Sequence, residues 1–130
     1  MTTAARLKQR SLLGVKDLSR EEIESILDRA HYWEAGGKKI HNAVPDAVVA
    51  NLFFENSTRT RFSFEMAAKR LGAQVLNFSA AVSSVNKGES IYDTVRTLES
   101  IGIDAGVIRL KPIGVLPEIA SRVSVPLLAR

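Results

Sequence analysis

The run Val48-Val49-Ala50-Asn51-Leu52-Phe53-Phe54 constrains the fold of this chain more than any other feature. A strand with one wet face alternates polar and apolar side chains. A short, nearly continuous apolar run belongs to a strand covered on both faces, as in parallel sheets flanked by helices. Two further short runs, Gln74 to Phe78 and Ala105 to Arg109, follow it, and a fourth begins at Val125 to Leu128. Helical patterns separate them. Thr58 to Leu71 has Phe62 and Met66 four apart and Gly72 as its stop. Glu89 to Ile101 places Ile91, Val95, Leu98 and Ile101 on one face, and Leu116 to Val123 makes a short third helix. Ahead of the first strand, Leu18 to Trp33 carries the capping-box spacing Ser19/Glu22 and an apolar stripe of Ile23, Ile26, Leu27 and Ala30. Gly36-Gly37 ends that helix, and Pro45-Asp46 marks the turn into the first strand. Strand alternating with helix predicts an α/β fold, a parallel sheet with helices on both faces.

Composition narrows the function classes. The chain has 130 residues, enough for one domain, and is 45% hydrophobic and 25% charged, which excludes a disordered chain. No apolar stretch approaches the roughly 20 residues that span a bilayer, so no membrane partner is expected. Without Cys there is no disulfide, thiolate metal site or cysteine nucleophile, which fits a cytoplasmic protein. The net charge of +4 is modest. Arg6, Lys8, Arg10 and Lys16 sit in an acid-free start, and residues 1–10 are read as a solvated basic tail. No aromatics alternate with basic residues, so no nucleic acid is expected either. The final strand has no cover after it, which predicts an open sheet edge, exposed apolar surface and a tendency to aggregate or to need a complementary fragment.

Ligands of a parallel sheet sit at the carboxyl ends of its strands. After the first strand comes Glu55-Asn56-Ser57-Thr58-Arg59-Thr60-Arg61. Free N–H groups at a helix start, three hydroxyls and a guanidinium fork make a phosphate cradle without glycines. The plainer alternative is that Ser57 or Thr58 caps the helix and the arginines are surface charges. Neither GxxxxGK[ST] nor GxGxxG occurs, which disfavours nucleotide binding. The polar loop from Ser83 to Ser90 contains Lys87, a mobile charge for an anion or an ordinary solvated residue. Arg109 ends an apolar strand at the mouth of the sheet, where it meets a ligand or pairs with Glu55 or Asp104.

The stretch from Phe54 to Glu65, Phe-Glu-Asn-Ser-Thr-Arg-Thr-Arg-Phe-Ser-Phe-Glu, followed by Arg70-Leu71-Gly72-Ala73, closely resembles the carbamoyl-phosphate loop and helix of the transcarbamoylases. Ser-Thr-Arg-Thr-Arg is common to the aspartate and ornithine branches. Ser63-Phe64-Glu65, Lys87-Gly88-Glu89-Ser90, the stretch from Asp93 to Ser100 and the opening from Leu12 to Ser19 look like the aspartate branch. Ornithine enzymes usually show a Cys-Ala-Phe-Glu-like stretch instead. The resemblance spans roughly residues 11–128.

The resemblance implies roles for particular residues. Ser57, Thr58, Arg59 and Thr60 match those that hold the phosphate of carbamoyl phosphate, with Arg59 also stabilising the leaving phosphate. Arg109 matches the arginine that bridges the two substrates, and Glu55 a carboxylate that ties two domains together. Ser83 and Lys87 match a loop inserted into the neighbouring site of a homotrimer. No cofactor or metal is implied, and regulatory chains are compatible with the family. The expected reaction is carbamoyl transfer from carbamoyl phosphate to L-aspartate in pyrimidine biosynthesis. Two departures stand out. Leu110 follows Arg109 where the family commonly has His, and neither His31 nor His41 lies where a replacement could. The Asn-Ala-Gly-Asp-Gly turn, the His-Pro-Thr-Gln motif and the aspartate-binding domain are absent from these residues. The expectation is therefore a truncated carbamoyl-phosphate domain over 11–130, inactive alone. The alternative is a non-catalytic paralogue that binds an anion or a transcarbamoylase subunit.

Overall fold

In the computed structural model, described over residues 7–37, 41–55, 57–79, 87–110 and 114–129, the apolar run forms strand β1 (Val48–Phe53) inside a parallel sheet. Helix α1 (Arg20–Ala35) precedes it, after a single 3-10 turn at Val15–Asp17. Then come α2 (Thr58–Arg70), β2 (Gln74–Ser79), α3 (Lys87–Ile101), β3 (Ala105–Arg109), α4 (Val115–Arg122) and β4 (Leu127–Ala129). Strand order is β2-β1-β3-β4, with every pairing parallel. Each strand-to-strand connection is therefore a crossover through a helix, as the alternation of patterns predicts. Among the described residues no helix is long and apolar enough to cross a membrane.

The two faces of β1 explain its composition. Ala50 and Leu52 point into the main core with Ile91 and Val95 of α3, Ile103, Ile108, Ile119 of α4, and Leu127. Asn51 points the other way, and its side chain reaches the main chain of α2 at Arg61. Helices thus cover both faces of the sheet, as expected.

Which helical residues face inward departs from the periodicity. Phe62 and Met66, the pair that marks α2 as a helix, are 53% and 51% exposed. The buried residue of α2 is Ala68, whose small side chain lets the helix lie close to the sheet. Ile26, Leu27 and Ile101 are also exposed, while Ile91 and Val95 are buried. Apolar spacing identifies a helix, but a stripe wider than the contact leaves its margin in water. Helix α3 starts at Lys87, two residues earlier than the sequence pattern, so Lys87 opens a helix instead of sitting in a loop.

The expectation of an open edge at β4 is overturned. Leu12 bridges Leu128 in parallel. Its N–H donates to the Leu127 carbonyl at 2.9 Å, and its carbonyl accepts from the Ala129 N–H at 2.9 Å. The Leu127 N–H donates to Ser11 Oγ at 2.9 Å, and Leu127 is buried. Leu12, through its main chain, and Ser11, through its hydroxyl, satisfy edge groups of β4 that would otherwise invite another strand. Leu12-Leu13 is too short a run to be read as a strand from sequence.

Three carboxylates join separate segments. Glu22 accepts from the Ser19 and Lys8 N–H groups, which together with the Ser19 hydroxyl closes the capping box of α1. Glu65 accepts from Lys69 and Asn77. Glu99 accepts from the Val125 and Ser124 N–H groups and from Arg96, tying α3 to the approach of β4. These hydrogen bonds hold all three carboxyls below their ordinary value of 4.5. The folded chain therefore binds fewer protons than the unfolded one in this range, and their contribution is complete above the ordinary value. It is lost as pH falls through the lowered folded values. Urea midpoints should decline steeply below the ordinary carboxylate value, and Glu99→Gln should flatten that decline. An unchanged slope would remove Glu99 from this account.

Candidate active site

β1 and β3 end side by side. Phe53 is in register with Arg109, and the Phe54 N–H donates to the Arg109 carbonyl at 3.0 Å. From there the chain passes directly into α2. Its N-cap, Ser57, has φ −160° and ψ 74°, and its hydroxyl makes no capping hydrogen bond. The Ser57 carbonyl accepts the first intrahelical bond from the Arg61 N–H at 2.9 Å. The N–H groups of Thr58, Arg59 and Thr60 precede that bond, so the helix offers them no acceptor. The first turn contains no acidic residue, Thr58 and Arg59 are exposed, and Thr60 is half-buried. Helix α1 is closed at the same position by its capping box.

Of the two readings of this turn, a Ser57 cap is not the one adopted. Among the described residues Ser57 makes no cap at the positive end of the α2 dipole, and the sequence puts three hydroxyls and a guanidinium in this turn, residue types suited to a compact oxyanion. Arg61, next in line, stacks over the Phe62 ring at 5.1 Å to the centroid.

Arg109 adds a second cation across the same strand ends. Its Nε donates to Glu55 Oε1 at 2.5 Å, and both side chains are partly exposed, at 27% and 20%. Of the two partners open to it in the sequence, Arg109 takes Glu55. Asp104 instead accepts from the Val48 N–H at 2.8 Å, at the opposite end of β1. A guanidinium carries five N–H groups, so the Nε contact leaves its two terminal amino groups outside the ion pair. Glu55 Oε2 is buried and, among the described residues, has no partner.

The structure thus sets Glu55, Ser57, Thr58, Arg59, Thr60 and Arg109 at the carboxyl ends of two adjacent strands. Ser83 lies outside the described residues. Lys87 is placed only as the first residue of α3, and its side chain lies outside them as well. Sequence reasoning passed over Asn51, which is fully buried and donates to α2. The available signal was a single polar residue inside an apolar strand.

Residues 10–129 match the family model for the aspartate/ornithine carbamoyltransferase carbamoyl-P binding domain. The catalytic subunit of M. jannaschii aspartate transcarbamoylase is 36% identical, with a TM-score of 0.81 over 93% of this chain and 40% of that one. Trypanosoma cruzi aspartate transcarbamoylase in complex with carbamoyl phosphate and aspartate is 34% identical, with a TM-score of 0.80 over 98% of this chain and 43% of that one. The same enzyme with N-(phosphonacetyl)-L-aspartic acid is 34% identical at a TM-score of 0.79, over 98% and 41%. The 130 residues therefore span about two fifths of the chains they match. The chain belongs to the aspartate/ornithine carbamoyltransferase family, and it matches that family's carbamoyl-phosphate-binding domain.

Proposed function

We propose that this chain supplies the carbamoyl-phosphate half of an aspartate transcarbamoylase. That enzyme transfers the carbamoyl group to the α-amine of L-aspartate, giving N-carbamoyl-L-aspartate and phosphate, in pyrimidine biosynthesis. The observation that carries the reading is the uncapped start of α2, with Ser57, Thr58, Arg59 and Thr60 around it at the end of β1. The aspartate branch is favoured over the ornithine branch by the Ser63-Phe64-Glu65 and Lys87-Gly88-Glu89-Ser90 stretches and by the aspartate transcarbamoylases among the similar structures. Residues 1–130 are assigned the binding of carbamoyl phosphate and no turnover by themselves.

In this reading the phosphate sits on the N–H groups and hydroxyls of α2's first turn. Arg109 turns its terminal amino groups to the carbamoyl oxygen and bridges the two substrates. The amine lone pair forms the new C–N bond while electron density moves onto the carbonyl oxygen. That density returns as the C–O bond to phosphate breaks, and phosphate leaves with the electron pair and takes up the proton that the amine gives up. Arg59 neutralises the charge that grows on the departing phosphate. Catalysis is electrostatic stabilisation and positioning, with no bond to the protein. Glu55 holds Arg109 in place before substrate arrives and has a second oxygen for a domain partner. The active assembly is a cytoplasmic homotrimer in which Ser83 and Lys87 complete the neighbouring site.

Four outcomes test this reading in the full-length protein. Arg59→Ala should lower kcat by about 10²-fold, equivalent to about 2.7 kcal/mol, and near-normal turnover would sink the cradle. Ser57→Ala should change stability by less than about 0.5 kcal/mol, since no cap is lost, whereas Ser19→Ala should cost about 1 kcal/mol. The same Ser57→Ala should weaken phosphate binding about fivefold, the worth of one hydrogen bond. Urea titration and calorimetry read the two effects separately. Mixed trimers of Arg59→Ala and Lys87→Ala subunits should recover activity, because one interface then carries both intact halves. A verified mixed trimer without recovery would confine Lys87 to its own subunit.

A further inference from the structure

Asn51 is fully buried in a strand whose other residues are all apolar. Its neighbour across the ladder, on the same face, is Asn77 of β2. Asn51 Nδ2 donates to the Arg61 carbonyl oxygen at 3.3 Å and to Asn77 Oδ1 at 3.4 Å. Asn77 Nδ2 donates to Glu65 Oε1 at 3.0 Å, and Glu65 Oε2 accepts from Lys69 Nζ at 2.8 Å. A line of four side chains therefore runs from the centre of the sheet to the surface, fastening α2 to the sheet at Arg61 and Glu65, with Lys69 bracing Glu65 within the helix.

This arrangement is poor as a source of stability. Both Asn51 contacts are long for hydrogen bonds. Asn51 Oδ1 is buried and, among the described residues, without a partner, as is Nε of Arg61. An unpaired buried acceptor costs more than a neutral hydrogen bond returns, and a leucine of similar size would carry no such cost. A polar group kept in a core at the expense of stability points to a geometric role.

The geometry identifies what is held. The carbonyl that Asn51 grips lies four residues, about one helical turn, after Ser57 and within three residues of the first-turn N–H groups of Thr58, Arg59 and Thr60. A helix is rigid over one turn, so fixing Arg61 fixes the height of those groups over the end of β1. Apolar contact around Ala68 alone would let α2 slide along the sheet, as packed helices do in shear motions. We propose that Asn51, supported by Asn77, is a positioning residue that sets the first turn of α2 against Arg109 for binding the phosphate group. The inference rests on the reading of that turn as the carbamoyl-phosphate site.

The test uses the full-length protein with Asn51→Leu, Asn77→Ala and Arg59→Ala variants. Thermal midpoints, calorimetric Kd for inorganic phosphate and both substrate KM values are measured. Asn51→Leu should melt at or above the parent temperature yet bind phosphate about tenfold more weakly, as expected when a site is displaced by a fraction of an ångström. KM for carbamoyl phosphate should rise, while KM for aspartate at saturating carbamoyl phosphate should stay unchanged. Asn77→Ala, at an exposed position, should weaken phosphate binding about threefold. Parental phosphate affinity in a stable Asn51→Leu protein would overturn the proposal. Should Asn51→Leu melt lower, Asn77→Ala decides: a loss of affinity supports the proposal and parental affinity overturns it. Parental phosphate affinity in Arg59→Ala would instead remove the carbamoyl-phosphate reading beneath it.

Discussion

Everything in this domain hangs on β1 being hydrogen-bonded on both edges. Its ladder to β2 covers six residues and its ladder to β3 five, so the strand has no free edge and no wet face. From the end of β1 the chain turns toward β2 through α2, whereas from the end of β3 it turns the other way through α4. The boundary between β1 and β3 is thus the point where the winding reverses, the place at the carboxyl ends of the strands where ligands of such sheets bind. Glu55, just past β1, and Arg109, at the end of β3, close an ion pair at that boundary. The location of the candidate site follows from strand order before any side chain is considered.

Much of this was legible in the sequence for simple reasons. Burial on both faces forces near-continuous apolar strands, so β1 and β3 announced themselves, and the capping box marked the start of α1 within one turn. Facing was less legible. The stripe of α3 runs from buried Ile91 to exposed Ile101, and α2 turns its most apolar pair outward. Hydrophobic spacing reports the helical period, whereas the inward face depends on which side chains are small enough to approach the sheet. The cover of β4 by Ser11 and Leu12 was illegible because two residues carry no periodicity.

The candidate site divides along the same line. Residues adjacent in sequence, Ser57 to Thr60, were found together because a helix start is a local structure. Whether Ser57 caps α2 was not legible locally, since it depends on how strand, turn and helix are arranged, and in the structure its hydroxyl makes no capping hydrogen bond. Arg109 and Glu55 lie 54 residues apart, and only the β1–β3 register brings them into contact. Asn51 was hidden differently. One amide in an apolar run reads as noise until its donors are seen to end on α2 and β2.

The two best-defined helix starts show one chemistry in two states. α1 begins with every device available: a serine cap, a reciprocal glutamate, an acidic first turn and a backbone N–H from Lys8 on the same carboxylate. α2 begins with none of them, and its first turn adds cationic Arg59 where the dipole already concentrates positive charge. Such a start is unfavourable unless an anion arrives or the helix is held from elsewhere. The hydrogen bonds from Asn51, Asn77 and Glu65 and the packing of Ala68 act on the body of α2, below its uncovered turn. Stability is thereby supplied from the sheet side and not, among the described residues, by a Ser57 cap. A side-chain cap at Ser57 would stabilise the free helix and occupy N–H donors of its first turn, so under the proposed carbamoyl-phosphate reading stability and binding oppose each other there.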